Sequence, residues 1–181
     1  FIAGEVGAAD AILFSDYDGG VITVPLLNAV RDMPTGLLMT ADAQGQFDKY
    51  AGFDLIKCNA DDARATLRRD LRTDADFERA ARDLCESLHL KRGMVITRGG
   101  DGATVCTADG TVAQCPTPAI TDVYDTVGAG DTSIAVLTLA LAAGSSLVDA
   151  AMLANIASGI VVRRVGNYAP TPAELEGAIQ T

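Results

Sequence analysis

The stretch DTVGAGDTS at residues 125–133 sets three small residues, Gly128, Ala129 and Gly130, between two aspartates, and its second aspartate opens an apolar segment, IAVLTLALAA. Small residues let a backbone come close to another group, and the first turn of a helix carries N–H groups without intrahelical partners. The pattern predicts a turn whose N–H groups and helix dipole hold an anion, such as transferred phosphoryl oxygens, beside the carboxylate of Asp131. An ionised carboxylate within hydrogen-bond reach of an alcohol can take its proton as the oxygen attacks, a contribution of roughly 10²–10⁴ in rate. The same residues admit a plainer reading, in which Asp131 caps the helix and Gly-Ala-Gly only permits the turn.

Working outward from the turn, a strand-like end (Ile120 to Tyr124) precedes it, and a helix over about 129–143, ended by Gly144, follows. A further helix is expected over 147–163, where Val148, Met152, Asn155, Ile156, Gly159 and Ile160 recur at helical spacing, and another starts after Pro172, near Glu174. Upstream, short apolar runs alternate with helical patterns. AILFS (11–15), LLMTA (37–41), DLIKC (54–58) and GMVITR (93–98) read as strands, and 25–31, 60–69 and 75–89 as helices. That alternation predicts βαβ units and a mostly parallel sheet buried on both faces. GATVCTADGTVAQC (102–115) breaks the rhythm: two β-rich runs flank Asp109-Gly110, so an antiparallel hairpin is appended. No linker, repeat or low-complexity tract divides residues 1–181, which predicts one domain.

The 181 residues are 49% hydrophobic and 21% charged, values of ordinary globular proteins, and they suffice for a core without disulfides. A net charge of −10, with fourteen scattered basic residues, argues against nucleic acid, though local donors can still hold a small anion. Cys58, Cys85, Cys106 and Cys115 lack C-x-x-C spacing and sit in apolar surroundings, as expected of reduced core residues in a cytoplasmic protein. No run approaches the ~18 apolar residues of a membrane helix, so neither secretion nor membrane insertion is expected. The chain begins without methionine and soon enters a strand-like run, which reads as the middle of something larger. His89 falls near the end of an amphipathic helix and is expected to interact with that end rather than with a metal. The run DDARATLRRDLRTDADFERAARD is expected to be a solvated face with i,i+4 ion pairs.

DTVGAGDTSIAVLTLALAAG resembles the C-terminal signature of the ribokinase-like (PfkB) carbohydrate kinases, D-T-x-G-A-G-D followed by a small-residue helix. The resemblance implies a three-layer α/β fold and transfer of the γ-phosphoryl of ATP to a sugar or sugar-phosphate hydroxyl, with Asp131 as the base. It implies that Gly128, Ala129 and Gly130 form the anion hole, and that Asp125 and the carbonyl of Val127 hold a monovalent cation such as K⁺. NADD (59–62) resembles the family's N-x-x-E, which gives Asn59 a place at the phosphates and Asp62, in place of the glutamate, a place at Mg²⁺ through water. TRGGDGA (97–103) resembles T-x-G-x-x-G, which makes Thr97 and Gly99 nucleotide contacts, although a glycine-rich strand connection needs no ligand. Asn155 lies where the family's late helix borders the adenine, and could equally be satisfied within its own helix packing. VGNYAPTP (165–172), with Gly166, resembles the segment closing the nucleotide and cation site.

Within the family the likeness is strongest to the kinases of heptose 7-phosphate. SDYDGGVIT (15–23) is similar to their S-D-Y-x-K-G-x-x-T, except that Gly19 stands in place of the lysine, a natural partner of a sugar phosphate. Asp16 is then a candidate at the acceptor, or a turn carboxylate at a strand end. The family's first strands, its glycine-rich sugar segment and the lid that also makes a homodimer contact have no counterpart in this sequence. A nucleotide-binding module without phosphoryl transfer, and a kinase of a nucleoside or vitamin alcohol, are the competing expectations.

Overall fold

The apolar runs become strands. In the computed structural model, which describes residues 9–33, 36–119 and 122–180, these are β1 (Ala11–Asp16), β2 (Leu38–Ala43), β3 (Leu55–Asn59) and β4 (Gly93–Thr97), followed by β5 (Ala103–Thr107) and β6 (Val112–Cys115). They form one sheet in the order β1-β2-β3-β4-β5-β6. Strands β1 to β4 pair in parallel and β4-β5-β6 antiparallel, the hairpin turning at Asp109-Gly110 with Gly110 at φ +83°.

Parallel strands need crossovers. These are α1 (Val24–Arg31), a 3-10 turn at Phe47–Tyr50, and the pair α2 (Ala60–Leu67) and α3 (Asp74–Ser87). After the hairpin come α4 (Ala129–Ala142), α5 (Leu147–Val161) and α6 (Pro172–Ile179). Because side chains alternate across a strand, β3 feeds two cores. Ile56 and Cys58 join Leu27, Phe53, Phe77 and Leu84 on one face, while Leu55 joins Ile134, Leu137 and Ala150 on the other. Fully buried Phe53, 5.3 Å edge-on to Tyr50, and Leu137 each contribute roughly 1.5–3 kcal/mol by leaving water. The result is helix, sheet and helix in three layers, as expected.

Some expectations change. Ile120 and Thr121 lie outside the described residues, and 122–124 form no strand. The Tyr124 N–H instead donates to the Val162 carbonyl at 2.8 Å, which ties the segment to the end of α5 rather than to the sheet. The ion pairs within the charged helices are i,i+3, Asp61–Arg64 and Asp76–Arg79, rather than i,i+4. His89 follows α3 in a left-handed conformation (φ +50°), its N–H donating to Glu86 O at 3.1 Å, and no metal-ligating group of three exists among the described residues. All four cysteines are free and buried; burial pushes the Cys85 thiol up to about 12. No helix among the described residues is long and apolar enough to cross a membrane.

Candidate active site

The carboxyl ends of β1 to β4 face the start of α4 across a polar cleft of about 1130 Å³, the place where open α/β sheets bind ligands. A second, more apolar pocket of about 610 Å³ lies between the 97–102 turn and helix α5. The two share Thr97, Gly99, Thr126 and Gly130 in their walls, so they adjoin along that seam. One elongated ligand with a charged and an apolar end would fit across it.

At the seam α4 begins. Gly128 takes φ +80°, and a Cβ there would sit 3.3 Å from Asn167 Oδ1, so the turn needs glycine. No side chain among the described residues caps this helix. The Ala129 N–H bends back to Thr126 O at 3.3 Å, whereas those of Gly130 and Asp131 make no hydrogen bond among the described residues. Of the small residues expected to hold an anion, Ala129 therefore spends its donor locally. The donors without a bond among the described residues are at Gly128, Gly130 and Asp131, and those of Gly130 and Asp131 lie in the first turn, on the positive end of the helix dipole.

Asp131 does not cap the helix, since the cap position belongs to Gly128. Its carboxylate lines the polar cleft and accepts the Tyr17 hydroxyl at 2.9 Å (Oδ1) and 2.8 Å (Oδ2), and Ser15 Oγ at 3.3 Å. Both partners come from the carboxyl end of β1, so β1 and α4 together position this carboxylate.

Beneath the turn lies a pair that the sequence reading missed. Lys57 on β3, 4% exposed at its side chain, donates to Asp42 of β2 at 2.6 Å and to the Gly130 carbonyl at 3.3 Å. Residues Asp42 and Lys57 are register partners. A Cβ on Gly130 would come 3.2 Å from Lys57 Nζ, so glycine is what admits the ammonium. Burial raises the Asp42 carboxyl above its ordinary value; Lys57 opposes this, and the charge of Asp131 adds to it. The signal was available: Lys57 shares the strand face of Leu55, which points to α4, at the carboxyl end of a buried parallel strand. Arg64, Arg72 and Arg98 also line the cleft. The basic residues are thus less scattered than the sequence suggests, and the charged run of α2 and α3 is partly a cleft wall.

The other expected residues divide. Asn59, Thr97 and Gly99 line the polar cleft. Asn59 Oδ1 accepts the Asp62 N–H at 2.8 Å, so the N-x-x-D spacing also builds the cap of α2. Thr97 donates to Cys58 O at 3.2 Å, and Gly99 takes φ +59°. Asn155 is buried in the wall of the apolar pocket, its Nδ2 donating to the carbonyls of Cys115 (2.7 Å) and Pro116 (3.3 Å), so it shapes that wall. Asp62 is not in the cleft lining; its Oδ2 is buried with no hydrogen-bond partner among the described residues, and burial raises its pKa. Asp125 accepts the N–H groups of Val127 and Gly166, both at 3.0 Å, which hold its carboxyl below the ordinary value. No hydrogen bond among the described residues reaches the Val127 carbonyl. Of the two readings of Asp16, the structure shows the turn carboxylate at a strand end: it closes β1, accepts the Asp18 N–H (3.0 Å), is 3% exposed and lies outside the cleft lining, its oxygens also taken by Lys49 (2.6 Å) and the Tyr50 hydroxyl.

Residues 35–174 match the model of the pfkB family carbohydrate kinases. The chain is 36% identical over 178 residues to bifunctional protein HldE of Geotalea uraniireducens, covering 97% of this chain and 36% of that protein. It is 38% identical over 186 residues to the protein of the same name from Geobacter metallireducens, covering 99% and 37%. It spans little more than a third of these relatives. Among solved structures, Arabidopsis thaliana ribokinase complexed with ribose and ATP superposes with a TM-score of 0.83 at 19% identity, over 99% of this chain and 58% of that one. Phosphofructokinase-2 of Escherichia coli in complex with potassium gives 0.78 at 22%, over 94% and 55%. The ribokinase-like fold is therefore shared, and the chain belongs to the pfkB family of carbohydrate kinases.

Proposed function

We propose that this chain carries the nucleotide-binding and catalytic part of an ATP-dependent kinase, one ribokinase-like domain with the longer protein around it, acting on a sugar or sugar-phosphate hydroxyl. The observation that carries the reading is the open start of α4, with free N–H groups at Gly130 and Asp131, beside a carboxylate that faces a cleft and already accepts a hydroxyl. The acceptor oxygen attacks the γ-phosphorus, its bond to the ADP oxygen breaks, and the acceptor's proton passes to Asp131. The two N–H groups, with Lys57 behind them, meet the developing negative charge. The adenosine end lies in the apolar pocket against Asn155, with Thr97, Gly99 and Asn59 along the phosphates. Asp62 would hold Mg²⁺ through water, its unpartnered buried Oδ2 being an acceptor suited to that water. The ion supplies neutralisation of phosphate charge. The Val127 carbonyl, with the second lone pairs of Asp125, would serve K⁺. SDYDGGVIT favours heptose 7-phosphate as the acceptor. Four reduced buried cysteines favour the cytoplasm, and a homodimer of the longer protein belongs to the same reading.

Asp131→Asn tests this. It keeps the shape of the side chain and removes its basicity, so turnover with ATP–Mg²⁺ and a sugar-phosphate panel should fall roughly 10²-fold or more while ATP affinity stays nearly constant. Unchanged turnover ends the proposal. One observation favours a second reading, a nucleotide-binding module without transfer: the Asp62 carboxylate lies outside the cleft lining. ATP binding without sugar-dependent ADP release would select it.

A further inference from the structure

Tyr17 is the first residue after β1, and its hydroxyl is the nearest donor to both oxygens of Asp131, at 2.9 and 2.8 Å. The phenolic proton is shared between both oxygens, with the Ser15 hydroxyl the other donor at 3.3 Å to Oδ1, on a carboxylate that, as a base, must be reached by the hydroxyl of another molecule. The contact is not a packing anchor. Tyr17 is 62% exposed and Asp131 is also exposed, so the bond is worth little to the fold. The backbone beside it is fixed independently: the Asp18 N–H donates to Asp16, Gln46 Nε2 donates to Asp18, and Asp18 and Gly20 take φ +55° and +79°. The strand end is held while the ring is not.

We propose that Tyr17 is a specificity-determining cap, whose phenol occupies the acceptor-alcohol position on Asp131 until a sugar hydroxyl displaces it. The proposal rests on the kinase reading. A sugar brings binding energy from its other groups to displace the phenol and reproduces the same O–H···carboxylate bond. Water brings only the bond. While the cap is in place, water cannot give its proton to Asp131 as its oxygen attacks the γ-phosphorus and the bond to ADP breaks, so futile hydrolysis is suppressed. Asp131, by its bond and its charge, keeps the phenol above its ordinary pKa, so the cap stays a donor at neutral pH.

The test compares wild type, Tyr17→Phe, Tyr17→Ala and Tyr17→Phe/Asp131→Asn for ADP release from ATP–Mg²⁺ without sugar, with ATP binding and thermal melts as controls. Acceptor-free hydrolysis should rise by about tenfold in both single variants and return to the wild-type level or below in the double variant, because water gains the base only when the phenol leaves it. Hydrolysis unchanged or lowered in Tyr17→Phe and Tyr17→Ala, with ATP still bound, overturns the cap and leaves the kinase reading standing. Failure of every form to bind ATP removes the reading and the cap together.

Discussion

Helices α3 and α4 are both 14 residues long, yet their first turns are built in opposite ways. At α3 the Thr73 hydroxyl accepts the Asp76 N–H, and the Asp76 carboxylate accepts the Thr73 N–H in return. At α4 the cap is Gly128, which offers no side chain. The remaining helices side with α3, since Thr23, Asn59, Ser146 and Thr171 each accept an N–H at their own helix start. Glycine in place of a capping side chain costs about a few tenths of a kcal/mol. The chain bears that cost at the one helix start whose open N–H groups border both pockets. Even α2 and α5, which line the pockets, answer a donor at their own start, and among the described α-helices α4 alone has no side-chain cap.

The sharpest way to break this contrast is to remove what stands behind the open turn. Lys57→Met would leave the Asp42 carboxylate buried without its cation and the Gly130 carbonyl without its donor. Chemical denaturation should show a loss of about 3–5 kcal/mol, much of it recovered when Asp42 is changed to Asn as well. A single-variant loss near zero would mean that the pair does not support the turn.

At the closed start the effect is smaller and depends on pH. Thr73→Ala should cost about 1 kcal/mol. Bonds from the Thr73 N–H and hydroxyl and the Arg72 N–H hold the Asp76 carboxyl down at about 2, against an ordinary 3.8. Since the folded value is the lower one, the contribution is fully present above 3.8 and is lost as pH falls toward 2. Melts across that window should fall more steeply for wild type than for Asp76→Asn. Parallel slopes would contradict the closed cap.

The smallest effect is expected in the loop after β1. A Cβ on Gly19 would meet nothing within 4 Å, so Gly19→Lys should leave the melting temperature unchanged. Restoring a cation there should tighten binding of a phosphorylated sugar by roughly 0.2–1 kcal/mol, the range of exposed ion pairs. Calorimetry with the phosphorylated and unphosphorylated sugars checks it, and an equal effect on both would remove the lysine's assigned role.

These regions also differ in how far the sequence foretold them. The fold was legible because continuous apolar strands such as GMVI and helical stripes such as that of α5 are local patterns that burial on both faces enforces. The α4 turn was legible because glycine spacing and a following apolar helix are adjacent in the chain. The sequence left Asp16 between two readings because Lys49 and Tyr50, which consume its oxygens, lie more than thirty residues on and arrive only through the crossover after β2. Lys57 was overlooked because a lone lysine in an apolar strand looks like an interruption until parallel register sets it against Asp42. The strand expected at the end of 120–124 failed where it is described, at 122–124, because its backbone is bonded to α5. Strand composition alone does not say which partner a segment finds.

An amide NMR titration of the chain with ATP–Mg²⁺ reads both helix starts in one experiment and tests most directly whether the open turn of α4 takes up phosphate. Large shifts are expected for the Gly130 and Asp131 amides as their open N–H groups take up phosphate oxygens, with little change at Asp76, whose N–H is already bonded to Thr73. Silent Gly130 and Asp131 amides at saturating nucleotide would contradict it.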